Sequence, residues 1–325
     1  MGNLPNIEKI NNDFKGKDIV SLGQFDSSSI QKLFNSTTSM ADIARNAKPS
    51  SLLSGNIVTL LFYEPSSRTF GSFSAATKQL GGQTVEIVNP QAFSSVSKGE
   101  TFEDTIRAFE AYCDVIVLRH PEKGAAANAA KIAQFVPIIN AGDGAGEHPT
   151  QALLDMYTIY EKFGRLDNLT CVFAGDMLYG RTVKSLLRGL SHFKNNTAYL
   201  LSPKELKLSR EDFADFQKSS VTIIEIEDQK DIPKNAHFWY WTRTQKERFS
   251  GKEAYEQVKN RFVLTKKLIE ERAGKDTIFM HPLPRVGEIL SEVDKDTRAV
   301  YLRSQIRNGM YVRMALLALV LGKIR

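Results

Sequence analysis

The sequence predicts an α/β fold with two domains, each a parallel β-sheet flanked by helices. The chain has 325 residues, and at roughly 150 residues per domain this length indicates two domains. Short runs of β-branched and aromatic residues alternate with stretches whose apolar residues recur at a helical spacing. Alternation of strands and helices is typical of parallel sheets that helices cover on both faces.

Nine short apolar runs predict the strands. They are Ile57–Tyr63, Val115–Leu118, Val136–Ile139, Thr170–Ala174, Thr197–Leu201, Val221–Ile226, His237–Trp241, Phe262–Leu264 and Thr277–Met280. Between them lie helical stripes, of which the clearest begin at Phe73, Phe102 and Val183. The strand with Trp239, Tyr240 and Trp241 is predicted to be core.

The break between the domains is predicted near His148-Pro149, because proline at a first helical position is a start signal. The last helix, about Arg303 to Gly322, is strongly apolar and must be buried. From its pattern alone it could close the second domain or return to the first.

Composition excludes several classes of protein. With 42% hydrophobic and 25% charged residues the chain is not collagen-like, coiled-coil or disordered. Two cysteines, Cys113 and Cys171, cannot form a disulfide framework or a four-cysteine zinc site. The net charge of +6 suits anionic small molecules at least as well as nucleic acid. We expect a cytoplasmic protein without a membrane partner, because residues 1–13 are polar and no apolar run approaches the roughly 20 residues of a membrane span.

Five polar clusters directly follow predicted strands. In open α/β sheets, ligands bind beyond the carboxyl ends of the strands, so the five clusters are expected to converge on one crevice. They are Glu64–Thr69, Arg119–Pro121, Asn140–Gly144 with His148–Gln151, Thr242–Gln245 and His281–Arg285.

The cluster Ser66-Ser67-Arg68-Thr69 lies at a strand-to-helix junction. Backbone N–H groups at a helix N-terminus attract anions, and arginine binds phosphate through two parallel hydrogen bonds. The cluster therefore predicts phosphate binding. The alternative is that Ser66 only caps the helix and Arg68 is solvated.

Other single residues have two interpretations each. His148 could donate a hydrogen bond to a substrate carbonyl or merely cap a helix, and Arg119 could bind a ligand or carry a surface charge. Lys98 lies in a Ser/Gly-rich loop, where a lysine is usually solvated, and Arg181 at a helix start is equally ambiguous.

No Gly-x-x-x-x-Gly-Lys-Ser/Thr motif occurs, and the glycine run 142–147 fails the dinucleotide pattern, which favours a small phosphate compound. The five histidines show no zinc-ligand spacing.

Taken together, these clusters resemble the transcarbamoylases, and most closely the catalytic chains that use aspartate. The resemblance runs from about residue 18 to the C-terminus. Its motifs are 65–69, Arg119-His120-Pro121, the run from His148 to Asp155, and 281–285. The loop 95–100 resembles the form found in multifunctional animal and fungal proteins. Ser67 stands where the family often has threonine, and Ser97 where some members have a second lysine.

The resemblance implies a transcarbamoylase-like fold. Its carbamoyl-phosphate-binding domain would comprise residues 1–149 plus the last helix, about 303–325, and its aspartate-binding domain residues 150–302. It implies transfer of the carbamoyl group of carbamoyl phosphate to L-aspartate, an early step of pyrimidine biosynthesis. Neither a metal nor a cofactor is expected, and the implied assembly is a homotrimer with shared active sites.

The resemblance also implies a role for each site residue. Carbamoyl phosphate is held by Ser66, Ser67, Arg68, Thr69, Arg119, His148 and Gln151. Aspartate meets Lys98, Arg181, Arg243, Gln245, Leu283 and Pro284. The catalytic set is Arg68, Thr69, Arg119, His148 and Lys98, of which Lys98, together with Ser94, reaches in from a neighbouring subunit.

Three alternatives stay open. The acceptor could be another amine such as ornithine, although Arg243 and Gln245 suit a dicarboxylate and ornithine enzymes typically carry a different loop. The chain could also be a catalytically silent phosphate-binding oligomer. Nucleic-acid binding rests only on the high isoelectric point, since no basic-aromatic stripe supports it.

Overall fold

The computed structural model describes residues 8–244, 258 and 261–325. The chain divides into two compact units, one formed by Met1–Leu154 with Arg307–Arg325 and the other by Asp155–Ile306. Both divisions fall inside helices, because Pro149–Phe163 and Ser304–Val320 each run through one of them. We call these units the first and the second.

The first unit is built on a four-stranded parallel sheet with the order β2-β1-β3-β4. Its strands are β1 (Ile57–Phe62), β2 (Gln83–Val88), β3 (Val115–His120) and β4 (Ile138–Asp143). Its helices are α1 (Ser27–Arg45), α2 (Ser67–Gln79), α3 (Pro90–Phe93), α4 (Phe102–Glu110) and α5 (Ala125–Ile132), followed by the start of α6 (Pro149–Phe163).

The second unit is built on a five-stranded parallel sheet with the order β7-β6-β5-β8-β9. Its strands are β5 (Thr170–Ala174), β6 (Asn196–Leu201), β7 (Val221–Ile226), β8 (Phe238–Trp241) and β9 (Ile278–Met280). The rest of α6 belongs to it, together with α7 (Arg181–Leu190), α8 (Arg210–Gln217) and α9 (Lys266–Arg272). The core prediction for β8 is confirmed, since Trp239, Tyr240 and Trp241 are fully buried.

The last helix, α10 (Ser304–Val320), contributes most of its length to the first unit. Residues 311–320 are buried throughout. The backbone carbonyl of Val320 accepts a hydrogen bond of 2.8 Å from Gly16 N, and Arg313 Nη1 donates to Ser72 Oγ at 2.8 Å. From residue 307 onward this helix therefore packs as part of the first unit.

Three strand predictions need correction. Gln83–Val88 was not predicted, because it is an edge strand with no buried residue, and three of its first four residues are polar. Phe262–Leu264 is not a strand, and only a single bridge joins Leu264 to Ile289. The strands β3 and β4 continue through Arg119-His120 and Asn140–Asp143, residues that were expected to follow them.

Each sheet contains one point where the strand order reverses. In the first unit the chain passes from β1 outward to β2 and then returns to the other side of β1 as β3. In the second it passes from β5 through β6 to β7 and returns beside β5 as β8. The crevice outside the strand ends at such a reversal is where open α/β sheets bind ligands.

Candidate active site

The segment 66–69 lies at the reversal point of the first sheet, between the end of β1 and the first turn of α2. Ser66 is the N-cap residue, but its side chain accepts no hydrogen bond from the helix backbone. The Ser66 hydroxyl therefore makes no capping hydrogen bond and is available to a ligand. Ser67 and Arg68 are exposed on the first turn, whereas Thr69 is buried. This helix N-terminus favours an anion through its N–H groups and its dipole.

Arg119 lies on the neighbouring strand β3, opposite Phe62 in the register of the sheet. Its side chain is buried, and burial lowers the pKa of the guanidinium; Glu64 acts in the opposite direction, and the charge of Arg68 lowers the pKa as well. Two cationic groups from adjacent strand ends therefore lie close enough to repel each other. A bound dianion would relieve this repulsion.

The Arg119 guanidinium is held by two groups of its own unit. Its Nη2 lies 2.5 Å from Glu64 Oε2, and its Nη1 donates to the Ala141 carbonyl at 3.0 Å. The Nε atom is buried and has no hydrogen-bond partner. A buried donor without a partner is costly, so this nitrogen is suited to bind a ligand oxygen.

Gly142 brings Arg119 and His148 to one place. A Cβ at residue 142 would lie 2.7 Å from Arg119 Nη1 and 3.5 Å from His148 Cδ2. The residue also has a φ of +118°, a conformation that L side chains rarely adopt. Both the space and the backbone thus require glycine, and the Arg119 guanidinium and the His148 ring both lie beside this one residue.

His148 is buried directly before α6, and its Nδ1 lies 3.4 Å from Thr150 Oγ1. Gln151 is half-buried in the first turn of the same helix. The turn at residues 144–147, directly after β4, is held by Asp143. The Asp143 carboxylate accepts hydrogen bonds from the backbone N–H of Gly124 at 2.9 Å and of Glu147 at 2.7 Å.

The loop with Ser94 and Lys98 forms a short 3₁₀-helix over Ser95–Lys98. The Ser94 hydroxyl donates to the Pro90 carbonyl at 2.8 Å and accepts from Val96 N at 3.2 Å, so it caps this turn. Lys98 is exposed and forms no ion pair within the described part of the chain. Neither residue is hydrogen-bonded to the group around Arg119.

In the second unit, Arg181 and Arg243 follow neighbouring strands at the reversal point of the sheet. Ala174 at the end of β5 pairs with Trp241 at the end of β8. Gly175 has a φ of +118°, and a Cβ there would lie 2.3 Å from the Thr242 carbonyl oxygen, so the two chain segments are in close contact. Arg181 begins α7 and Arg243 comes directly after Thr242, and both are half-buried.

Leu283 and Pro284 follow β9, the strand next to β8. Leu283 has a φ of +54° and a cis peptide bond to Pro284. The backbone N–H of Leu283 donates to His281 Nδ1 at 2.8 Å, and His281 Nε2 lies 2.7 Å from Glu288 Oε1. A buried histidine–glutamate pair thus fixes the start of this loop.

The predicted residues therefore fall into two groups. In the first unit the structure brings together the segment 66–69, Arg119 and His148, and in the second it places Arg181, Arg243, Leu283 and Pro284 at one sheet edge. Gln245 lies outside the described residues. Glu64 and Gly142 were quoted in the sequence clusters without a role. The sequence did carry one signal for Gly142, since a glycine between a predicted strand and the pair His148-Pro149 indicates a close backbone approach.

Comparison with known proteins also finds two domains along the chain. Residues 17–161 match the carbamoyl-P binding domain of the aspartate/ornithine carbamoyltransferase family, and residues 167–320 match its Asp/Orn binding domain. The chain is 44% identical over 310 residues to the chloroplastic aspartate carbamoyltransferase of Arabidopsis thaliana, which covers 95% of this chain and 78% of that protein.

Two further relatives are informative. The multifunctional protein pyr1-3 of Dictyostelium discoideum is 44% identical over 96% of this chain, which spans only 14% of that protein. The solved aspartate transcarbamoylase of Trypanosoma cruzi in complex with carbamoyl phosphate and aspartate superimposes with a TM-score of 0.88 at 38% identity. The match covers 97% of this chain and 99% of that one. The chain thus belongs to the aspartate/ornithine carbamoyltransferase family.

Proposed function

We propose that the protein transfers the carbamoyl group of carbamoyl phosphate to the amino group of L-aspartate, giving N-carbamoyl-L-aspartate and phosphate. The observation that carries this proposal is that Arg119, on the strand next to the one that leads into α2, lies near both Arg68 and His148. The relatives named aspartate carbamoyltransferase support it.

Carbamoyl phosphate is assigned to the first unit. Ser66, Ser67 and Arg68 with the N–H groups of α2 bind the phosphate, and Thr69 adds a buried hydroxyl. Arg119 and His148 donate to the carbonyl oxygen, and Gln151 binds the carbamoyl amide. The position of Arg119 and His148 on either side of Gly142 supports these roles.

Aspartate is assigned to the second unit, where two cationic side chains follow adjacent strand ends. Arg181 and Arg243 suit the two carboxylates of a dicarboxylic amino acid, with Gln245, Leu283 and Pro284 completing the set. Ornithine has a cationic side chain, which these arginines would repel. Charge complementarity therefore favours aspartate over ornithine as the acceptor.

The reaction needs positioning and electrostatic stabilisation. The aspartate amine attacks the carbonyl carbon, and negative charge develops on the carbonyl oxygen next to Thr69, Arg119 and His148. One such donor is typically worth about 3–4 kcal/mol. The C–O bond to phosphate then breaks, Arg68 and Arg119 balance the charge of the leaving phosphate, and the phosphate takes the proton of the amine.

We further propose a homotrimer with shared active sites, in which Ser94 and Lys98 act on the site of a neighbouring subunit. The exposed ammonium of Lys98 supports this assignment, because it forms no ion pair with any described residue of its own chain.

The product serves pyrimidine biosynthesis. Two free cysteines, Cys113 and Cys171, support a reducing cytoplasm. Within the described residues, no helix combines the length and the apolar character needed to cross a bilayer.

Incubation with carbamoyl phosphate and a panel of amines tests the reaction. We expect a ureido product with L-aspartate and little with ornithine or other amines. Turnover with ornithine but not with aspartate would eliminate the proposal. Phosphate binding with no turnover of any amine would support the silent-oligomer alternative instead.

A further inference from the structure

The second unit contains a cavity at the edge of its sheet opposite to Arg181 and Arg243. The cavity has a volume of about 500 Å³ and lies between the end of α6 and the segments that lead into β8 and β9. Its charged and titratable lining residues are Lys162, Arg165, Lys234, His237, Lys275 and Asp276. This size falls within the range of about 300–1,000 Å³ that is typical of small-molecule sites.

The lining of this cavity is strongly cationic. Three lysines and one arginine face a single carboxylate, that of Asp276. The side chains of Lys162, Lys234 and Lys275 are exposed and form no ion pair with any described residue. A concave surface lined by charges of one sign raises the local concentration of the opposite ion, which here is an anion.

His237 contacts two groups that can only donate hydrogen bonds. Its Nδ1 accepts from the backbone N–H of Thr170 at 3.0 Å, and its Nε2 lies 3.0 Å from Arg165 Nη2. Because Nδ1 is an acceptor, the proton of the neutral imidazole is on Nε2. Burial lowers the pKa of His237, and the charge of Arg165 lowers it further, so the ring is neutral at pH 7. Two N–H donors therefore meet at the cavity wall.

An anion oxygen beside His237 Nε2 and Arg165 Nη2 would accept a hydrogen bond from each. The unfavourable contact between two donors would then be replaced by two favourable hydrogen bonds. The wall is already fixed in place. Thr277 Oγ1 donates to the Ala236 carbonyl at 2.6 Å, and the backbone of Ile278 donates to the His237 carbonyl at 3.0 Å. Arg165 Nε donates to the Asp167 carbonyl at 3.1 Å, which orients the guanidinium.

We propose that this cavity binds the phosphate group of a small molecule, with His237 Nε2–H and Arg165 as its direct donors and Lys162, Lys234 and Lys275 as the surrounding charges. Phosphate fits better than a carboxylate. It presents three terminal oxygens, so it accepts from the histidine, the arginine and a lysine at once. The site is separate from the residues assigned to carbamoyl phosphate, and it does not depend on the proposed reaction.

The test uses inorganic pyrophosphate and the full chain with the substitution Arg68→Ala, which weakens anion binding in the first unit. The imidazole ¹⁵N resonances of His237, assigned through His237→Asn, report on binding at the cavity. We expect saturable shifts of these resonances, and a matching heat signal in titration calorimetry. Absence of any shift at millimolar pyrophosphate would overturn the proposal.

Three further variants separate a built site from general electrostatics. Arg165→Gln and the double change Lys234→Ala with Lys275→Ala are each expected to weaken binding about tenfold, that is by about 1.4 kcal/mol. Lys230→Ala removes an exposed lysine of the same unit that does not line the cavity, and it should leave the affinity within about twofold. If Lys230→Ala and Arg165→Gln lowered the affinity for pyrophosphate equally, the effect would be one of net charge only, and the site would be refuted.

Discussion

The Arg119 guanidinium and the Glu64 carboxylate form an ion pair with 2.5 Å between Nη2 and Oε2. The arginine side chain is 9% exposed and the glutamate side chain 39%. Because Arg119 is assigned to the phosphate and the carbonyl oxygen of carbamoyl phosphate, Glu64 competes with the substrate for the same donor. The pair therefore sets how strongly the first unit attracts an anion.

The substitution Glu64→Gln is expected to tighten binding of inorganic phosphate by about threefold to tenfold, because it removes the competing negative charge. Titration calorimetry measures the dissociation constant directly. Glu103→Gln, an exposed acidic residue in the first turn of α4, is the control and should have little effect. Weaker phosphate binding in Glu64→Gln would contradict the competition.

Gly142→Ala is expected to lower kcat/KM about 100-fold, because the new methyl group displaces Arg119 from the carbonyl oxygen. Gly55→Ala is a matched control. Gly55 also has a positive φ, +81°, but a Cβ there would meet no atom within 4 Å. Both variants should lose about 1 kcal/mol of stability from backbone strain, and only Gly142→Ala should lose activity. Normal activity of a folded Gly142→Ala protein would disprove the positioning role.

Arg243→Ala is expected to raise the KM for aspartate by about 10- to 100-fold, since a hydrogen-bonded carboxylate loses its charged partner. Phosphate binding in the first unit should stay unchanged. Arg188→Ala, which removes an exposed arginine of α7, serves as the control. Steady-state kinetics with each substrate varied in turn separate the two effects, and an unaltered KM for aspartate would remove Arg243 from the acceptor site.

Mixed trimers test the shared site. Lys98→Ala and Arg68→Ala subunits should each be inactive alone. If Lys98 acts on a neighbouring subunit, a trimer that contains both kinds has one intact site in about three. Denaturing the two variants together and refolding the mixture should then restore activity. Properly mixed trimers without activity would show that Lys98 serves its own chain.

Asp18 should make stability depend on pH. Burial, as the largest cause, raises its pKa from 3.8 to about 6, although its side chain accepts a hydrogen bond from Ile138 N at 2.8 Å. Between pH 4 and 6 the folded chain therefore binds more protons at this residue than the unfolded chain. The contribution of Asp18 to stability accordingly falls as the pH rises through this window. Above pH 6 the charged side chain lowers the free energy of unfolding by at most about 3 kcal/mol.

Asp18→Asn keeps an acceptor for Ile138 and removes the charge. We expect a higher melting temperature at pH 8 and a smaller gain at pH 5, as measured by circular dichroism. Asp13→Asn, at an exposed position in the same region, should show no such difference. A gain that is equal at both pH values would contradict the assignment.

The sequence predicted most of what depends on local apolar pattern. β5 and β7 agree with their predicted bounds, because β5 is a buried run and five of the six residues of β7 are β-branched. The edge strand β2 was missed because Thr84 and Glu86 interrupt its apolar residues. Arg119 was predicted to follow β3, but it lies inside the strand. A charged residue usually indicates the end of a buried strand, and the ion pair with Glu64 is visible only in the structure.

The candidate site was predictable residue by residue, but its geometry was not. Motifs identified Arg68, Arg119 and His148, yet the contact of Gly142 with Arg119 and His148 depends on a backbone angle that no spacing rule provides. The cavity around His237 carries no motif at all. Its residues come from three separate segments, and only the structure shows that they share one wall.

The helix α10 completes the first unit only after the whole second unit has been synthesised. Asp155–Ile306 stands between the two parts of the first unit in the chain, and at about 5–20 residues per second a ribosome needs about 8–30 s to make it. During this interval the surface that later covers residues 311–320 has no partner from its own chain. The nascent first unit is therefore a natural client for chaperones. A stop codon shortly before residue 307 would leave the second unit attached to a first unit that lacks its last helix.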